Sequence, residues 1–86
     1  MIFHKLTDVK PISDLKLKVT FENGVIKVYD VKPLLDKWEV FKSFKLIRGL
    51  FEQVKLDCKG YGIAWNDDID LSCEELWQNG TEYSYM

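Results

Sequence analysis

Residues 15–21 read Leu-Lys-Leu-Lys-Val-Thr-Phe, an unbroken alternation of apolar and polar side chains, and nothing else in this 86-residue chain limits its fold so strongly. A repeat of two belongs to a strand with one face against a core and one in water. Asn23-Gly24 follows, then Val25-Ile26-Lys27-Val28-Tyr29-Asp30. Asn-Gly is the preferred pair for a two-residue type I′ turn, because both of its central residues need positive φ. That loop predicts pairs Phe21/Ile26, Thr20/Lys27, Val19/Val28 and Lys18/Tyr29. Phe21, Ile26, Val19 and Val28 would then share the buried face, and Lys16, Lys18, Lys27, Thr20 and Tyr29 the wet one.

The remaining elements follow from local signals. Residues 5–11 read as a short strand, with Pro11 at an end or on an edge because it cannot donate to a ladder. Pro33 suits a first helical turn, and Leu34, Leu35, Trp38, Phe41 and Phe44 recur at helical spacing. One helix, or two short ones broken near Val40, should therefore end before Gly49. Residues 50–56 read as a strand, 57–60 as a turn with Gly60 left-handed, and 61–65 as a strand. Gly62 and Ala64 in that strand predict a closely packed neighbour, expected to be a helix. Ser72-Cys73-Glu74-Glu75 is a capping box opening a helix over about 72–78. The tail, residues 81–86, has β-favouring Thr81, Tyr83 and Tyr85, able to fold back on its own sheet or to add to a neighbour's edge. Together these predict a single α+β domain over residues 1–86, with a small, mostly antiparallel sheet of about five strands and two or three short helices.

Composition supports a dense small core: 47% of residues are hydrophobic, with three Trp, four Tyr and five Phe. No run approaches the roughly 18 apolar residues of a membrane span, and the start lacks a signal-peptide pattern, so a cytoplasmic setting is expected. Cys58 and Cys73 are too few for a disulfide framework and are expected to be reduced thiols. The net charge of −2 hides an asymmetry: residues 1–48 carry a balance of +4 and residues 49–86 one of −6. Such a division favours a charged partner or association between copies.

Chemistry-bearing patterns are sparse. His4 is the sole histidine, so neither a nucleophile–imidazole pair nor a common zinc spacing is available. Gly60-Tyr61-Gly62 lacks the spacing and Lys-Ser/Thr of a phosphate loop. Asp67, Asp68, Asp70, Glu74 and Glu75 are dense in carboxylate but do not follow calcium-loop grammar. They read as a solvated turn before a helix N-terminus, with Asp67, Asp68 and Asp70 as a candidate acidic interaction patch. Lys16, Lys18, Lys27 and Tyr29 form the candidate basic interaction face. Trp38, Trp65 and Trp77, on three elements, are expected to share one core, with a ligand cleft as the alternative. No catalytic residue, cofactor or metal is expected.

The ordered set Phe21-Glu22-Asn23-Gly24, Asp30-Val31-Lys32-Pro33-Leu34-Leu35, Phe41 to Leu46, Phe51-Glu52-Gln53-Val54, Gly62-Ile63-Ala64-Trp65 and Asp70-Leu71-Ser72 resembles the bacterial domain family of unknown function DUF2442, over roughly residues 5–77. Residues 78–86 extend past the expected end of that likeness. The resemblance implies a compact α+β fold, a bacterial cytoplasmic setting and no known catalytic residues. Relatives are often encoded beside another small protein and some carry a helix-turn-helix segment, for which this chain has no room. The expectation is a non-enzymatic protein-interaction module, antitoxin-like or regulatory toward a neighbouring gene's product. The alternative is a nucleic-acid-binding module using the Lys16/Lys18/Lys27 face. Self-association as a homodimer through the tail is the accompanying expectation, and no membrane contact is expected.

Overall fold

The computed structural model describes residues 4–83. Within them the order is β1 (Leu6–Ile12), β2 (Lys16–Phe21), β3 (Ile26–Asp30), α1 (Lys32–Lys37), α2 (Ser43–Leu46), β4 (Lys55–Asp57), β5 (Gly62–Asn66), β6 (Ile69–Ser72), α3 (Cys73–Asn79) and β7 (Thr81–Glu82), with 3-10 turns at Glu39–Lys42, Phe51–Gln53 and Cys58–Gly60. The fold class is the predicted α+β. The strands divide between two antiparallel sheets, ordered β1-β2-β3-β7 and β4-β5-β6. β7 pairs with β3 and forms one edge of the first sheet, and β1 forms the other. None of the helices is long and apolar enough to cross a membrane.

The hairpin forms, but one residue out of its predicted register. Thr20 pairs with Ile26, Val19 with Lys27, Lys18 with Val28 and Leu17 with Tyr29. The Phe21 N–H donates to the Val25 carbonyl and the Gly24 N–H to the Phe21 carbonyl, both at 2.9 Å, enclosing a three-residue loop. Within that loop only Gly24 has positive φ, at 91°. This is a type I turn closed by a glycine bulge rather than a type I′ turn. In such a loop only the last residue is left-handed, and the Asn23 Oδ1 accepts the Val25 N–H at 3.0 Å. The shift turns Lys27 and Tyr29 to the core side of the sheet, with Leu17, Val19 and Phe21, and sends Ile26 and Val28 outward.

α1 starts at Lys32, with Pro33 in its first turn as expected, and buries Leu34 and Leu35. The predicted strand over 50–56 is instead a 3-10 turn, Phe51–Gln53, followed by the short β4. Leu50 and Phe51 are adjacent and both buried. A strand would have put them on opposite faces, whereas a tight turn brings both inward. The Trp65 indole N–H donates to the Phe51 carbonyl at 2.9 Å, anchoring that turn in an aromatic cluster with Phe41 and Phe44.

The acidic run is a hairpin as well as a turn. Asn66 Oδ1 accepts from the N–H groups of Asp68 and Ile69, so Asp67 and Asp68 occupy the bend and Asp70 lies on β6. The close neighbour of Gly62 is the β6 backbone, not a helix: a Cβ there would meet the Leu71 carbonyl oxygen at 2.9 Å. α3 is capped by Ser72, whose Oγ accepts the Glu75 N–H at 3.1 Å. Only that half of the capping box forms. The Glu75 carboxylate turns instead to the Tyr29 hydroxyl, 2.7 Å away, and to the Asn79 amide, 2.9 Å away. The tail folds back on its own sheet: Val28 pairs with Thr81, Lys27 with Glu82, and the Tyr83 N–H donates to the Ile26 carbonyl. Tyr85 lies outside the described residues. One hydrophobic cluster joins the sheets, uniting Leu17, Val19 and Phe21 with Ile63, Trp65, Ile69 and Leu76.

Candidate docking groove

The register shift splits the predicted basic face. Lys16 and Lys18 stay on the outer side, where the Lys18 ammonium sits 4.5 Å from the Tyr83 ring centroid. Lys27 and Tyr29 lie on the other side and serve α3. The Lys27 ammonium donates to the Trp77 carbonyl in the last turn of α3 and lies 4.2 Å from the Trp77 ring centroid. A cation there satisfies an orphan carbonyl and complements the helix dipole. Burial, followed by its hydrogen bond to Glu75, pushes the Tyr29 phenol well above its ordinary range. His4 stacks on Trp77 at 3.8 Å, and its Nδ1 lies 2.9 Å from a Glu74 carboxylate oxygen. The His4 backbone N–H, then its ring, hold Glu74 below the usual carboxylate range. These contacts account for Glu74 and Glu75 as local structure. Cys73 is a buried free thiol whose pKa is pushed up, first by burial.

Of the predicted acidic patch, Asp67 and Asp68 stand at the β5–β6 bend and Asp70 lines a groove. That groove, of about 500 Å³, lies between the end of α1 and the second sheet. Trp38 and Tyr61 stand at it, Leu71 adds apolar lining, and Asp57 and Asp70 contribute carboxylates. Neither of those aspartates has an ion pair or side-chain hydrogen bond among the described residues. Glu75 and Lys37 border both this groove and a second hollow of about 800 Å³, which reaches Lys16, Tyr29, Asp30 and Tyr83. Among the described residues no three His, Cys, Asp or Glu side chains converge to hold a metal.

Trp38 departs from the expected shared core. It is 58% exposed, whereas Trp65 is 3% exposed. Its backbone explains why: α1 ends at Lys37 and Trp38 is extended, at φ −127° and ψ 120°. That break takes Trp38 out of the helical phase placing Leu34 and Leu35 inward. A second exposed patch escaped sequence reasoning. Ile47 ends α2 in an extended conformation, leaving Leu46 81% and Ile47 54% exposed. The available signal was two adjacent aliphatics between Lys45 and Arg48, just before Gly49, where a helix has to stop.

The fold and the groove together define a small two-sheet α+β domain presenting an aromatic, acid-rimmed cleft. Residues 6–82 match the profile of the family described as "Protein of unknown function (DUF2442)", and this chain belongs to that family. The match continues through 78–82, so the end of α3 and β7 are part of the family's domain. No curated protein and no solved structure matches the chain.

Proposed function

We propose that this chain is a non-enzymatic protein-interaction module whose groove receives a polypeptide segment of aliphatic and cationic side chains. The observation that carries this reading is Trp38, 58% exposed over a groove bearing Asp57 and Asp70. Leaving a large indole in water forgoes roughly 25 cal/mol for each Å² of apolar surface that burial would remove. Tryptophan dominates binding hot spots when a partner covers it. Carboxylates beside it steer a cationic segment and set its register. A groove of about 500 Å³ has the volume of a pocket for a drug-sized ligand, room for a few side chains. In the finer, antitoxin-like form of this reading, the segment belongs to the product of an adjacent gene.

The test is NMR observation of the Trp38 indole N–H during titration with a short peptide of leucines between arginines. The expected result is a saturable shift at Trp38, weakened by salt and lost in Asp57→Asn with Asp70→Asn. The same peptide with glutamate for arginine should leave Trp38 unmoved. An arginine peptide that perturbs no groove resonance at millimolar concentration refutes the reading.

A further inference from the structure

The surface carries two patches that complement each other in both polarity and charge. One is the groove, lined by the exposed Trp38 and by Leu71 and acidic at Asp57 and Asp70. The other is the end of α2, where Leu46 and Ile47 project at 81% and 54% exposure between Lys45 and Arg48. Lys45 and Arg48 have no carboxylate partner among the described residues, whereas nearby Lys42 is paired with Glu39. Thus the one segment offers uncovered aliphatics flanked by unpaired cations, and the other site offers an apolar hollow flanked by unpaired carboxylates.

We infer that the segment seated in the groove is 45–48 of a second copy of this chain. The inference rests on the groove being a docking site and names its occupant. It differs from the association expected for the tail, because residues 81–83 already pair with β3 of their own sheet. Two copies related by a two-fold axis exchange segments reciprocally, so each dimer contains two groove–segment contacts and closes without exposed remainder. Burying Leu46 and Ile47 supplies the driving force, and the charge pairs at the rim set the orientation. The contact is therefore weakened by salt, since rim pairs are screened within a Debye length of about 8 Å at physiological ionic strength.

Sedimentation equilibrium of the full chain, from micromolar to near-millimolar concentration, tests this directly. Dimer is expected, with at least a tenfold weaker association in Leu46→Asp and in Asp57→Lys with Asp70→Lys. Far-UV circular dichroism and melting temperature should stay at wild-type values for each; Arg48→Glu is a second segment variant if Leu46→Asp alters them. Mixing a segment variant with the groove variant should restore a heterodimer, because one sound groove then meets one sound segment. A monomeric wild-type chain overturns the inference, as does a dimer indifferent to both sets of substitutions. Monomer that instead sediments with phosphatidylserine vesicles through Leu46 also overturns it, assigning 45–48 to a lipid surface. The groove reading survives those failures if the arginine peptide still shifts the Trp38 indole.

Discussion

At Gly60 the backbone has φ of 97°, and a Cβ would stand 2.5 Å from the Leu6 carbonyl oxygen. At Gly24 φ is 91°, but nothing lies within 4 Å of the same imagined atom. The two glycines therefore separate conformational strain from collision. Gly24→Ala should cost about 1 kcal/mol, from the left-handed backbone alone. Gly60→Ala adds a contact with backbone that cannot turn aside, and should cost about 2–3 kcal/mol. Urea unfolding of the two variants reads the difference as a larger loss of midpoint for Gly60→Ala. Tyr29 gives the pH dependence. Its phenol pKa is raised in the folded state by burial first and by Glu75 second. A raised folded pKa contributes stability that is complete below the unfolded value of about 10 and is lost as pH rises beyond it. Tyr29→Phe should be less stable than wild type by about 1–2 kcal/mol at pH 7. That gap should narrow above about pH 10, and melting curves across that range check it.

At the scale of elements, the capping of α3 shows how a tertiary partner redirects a local motif. Ser72 Oγ accepts the Glu75 N–H, but the Glu75 carboxylate is held by Tyr29 and Asn79 rather than by the helix's own first amide. Ser72→Ala should cost about 1 kcal/mol. Glu75→Ala combined with Tyr29→Phe should cost less than the sum of the two single changes, because both remove the same bond. A double-mutant cycle showing strict additivity would contradict the Tyr29–Glu75 bond. The hairpin teaches the same lesson about register. Its two strands were legible from alternation, yet turn preference alone favoured a two-residue loop. The three-residue loop prevails because it lets Tyr29 reach Glu75 and Lys27 reach the last turn of α3.

At the scale of the whole molecule, a single core runs through both sheets, since Leu17, Val19 and Phe21 join the same cluster as Ile63, Trp65 and Leu76. The sheets should therefore unfold together. Calorimetric and van't Hoff enthalpies are expected to agree, and circular dichroism and tryptophan fluorescence to give one midpoint. Trp65→Phe should lower that midpoint without splitting the transition. It removes the indole donor from the buried Phe51 carbonyl and leaves a void in the aromatic cluster, costing about 2–4 kcal/mol. Two separated transitions would show that the sheets are independent units.

The chain alone determined its α+β class, the β2–β3 hairpin, a helix with Pro33 in its first turn and the cap at Ser72, because these depend on residues within a few positions of one another. Periodicity and turn chemistry act at that range. Which residues meet in space depended on contacts across the fold. β3 slipped by one position to serve α3, Leu50 and Phe51 both turned inward, and β7 closed the first sheet. The candidate site was legible only in part. Asp70 was visible as an acid, and Trp38 as one of three tryptophans. That α1 would stop at Lys37 and leave Trp38 outside, lining a groove together with Asp57 and Tyr61, was decided by packing. Local sequence sets the preferences of each segment, and the shared core selects which of those preferences can be satisfied together.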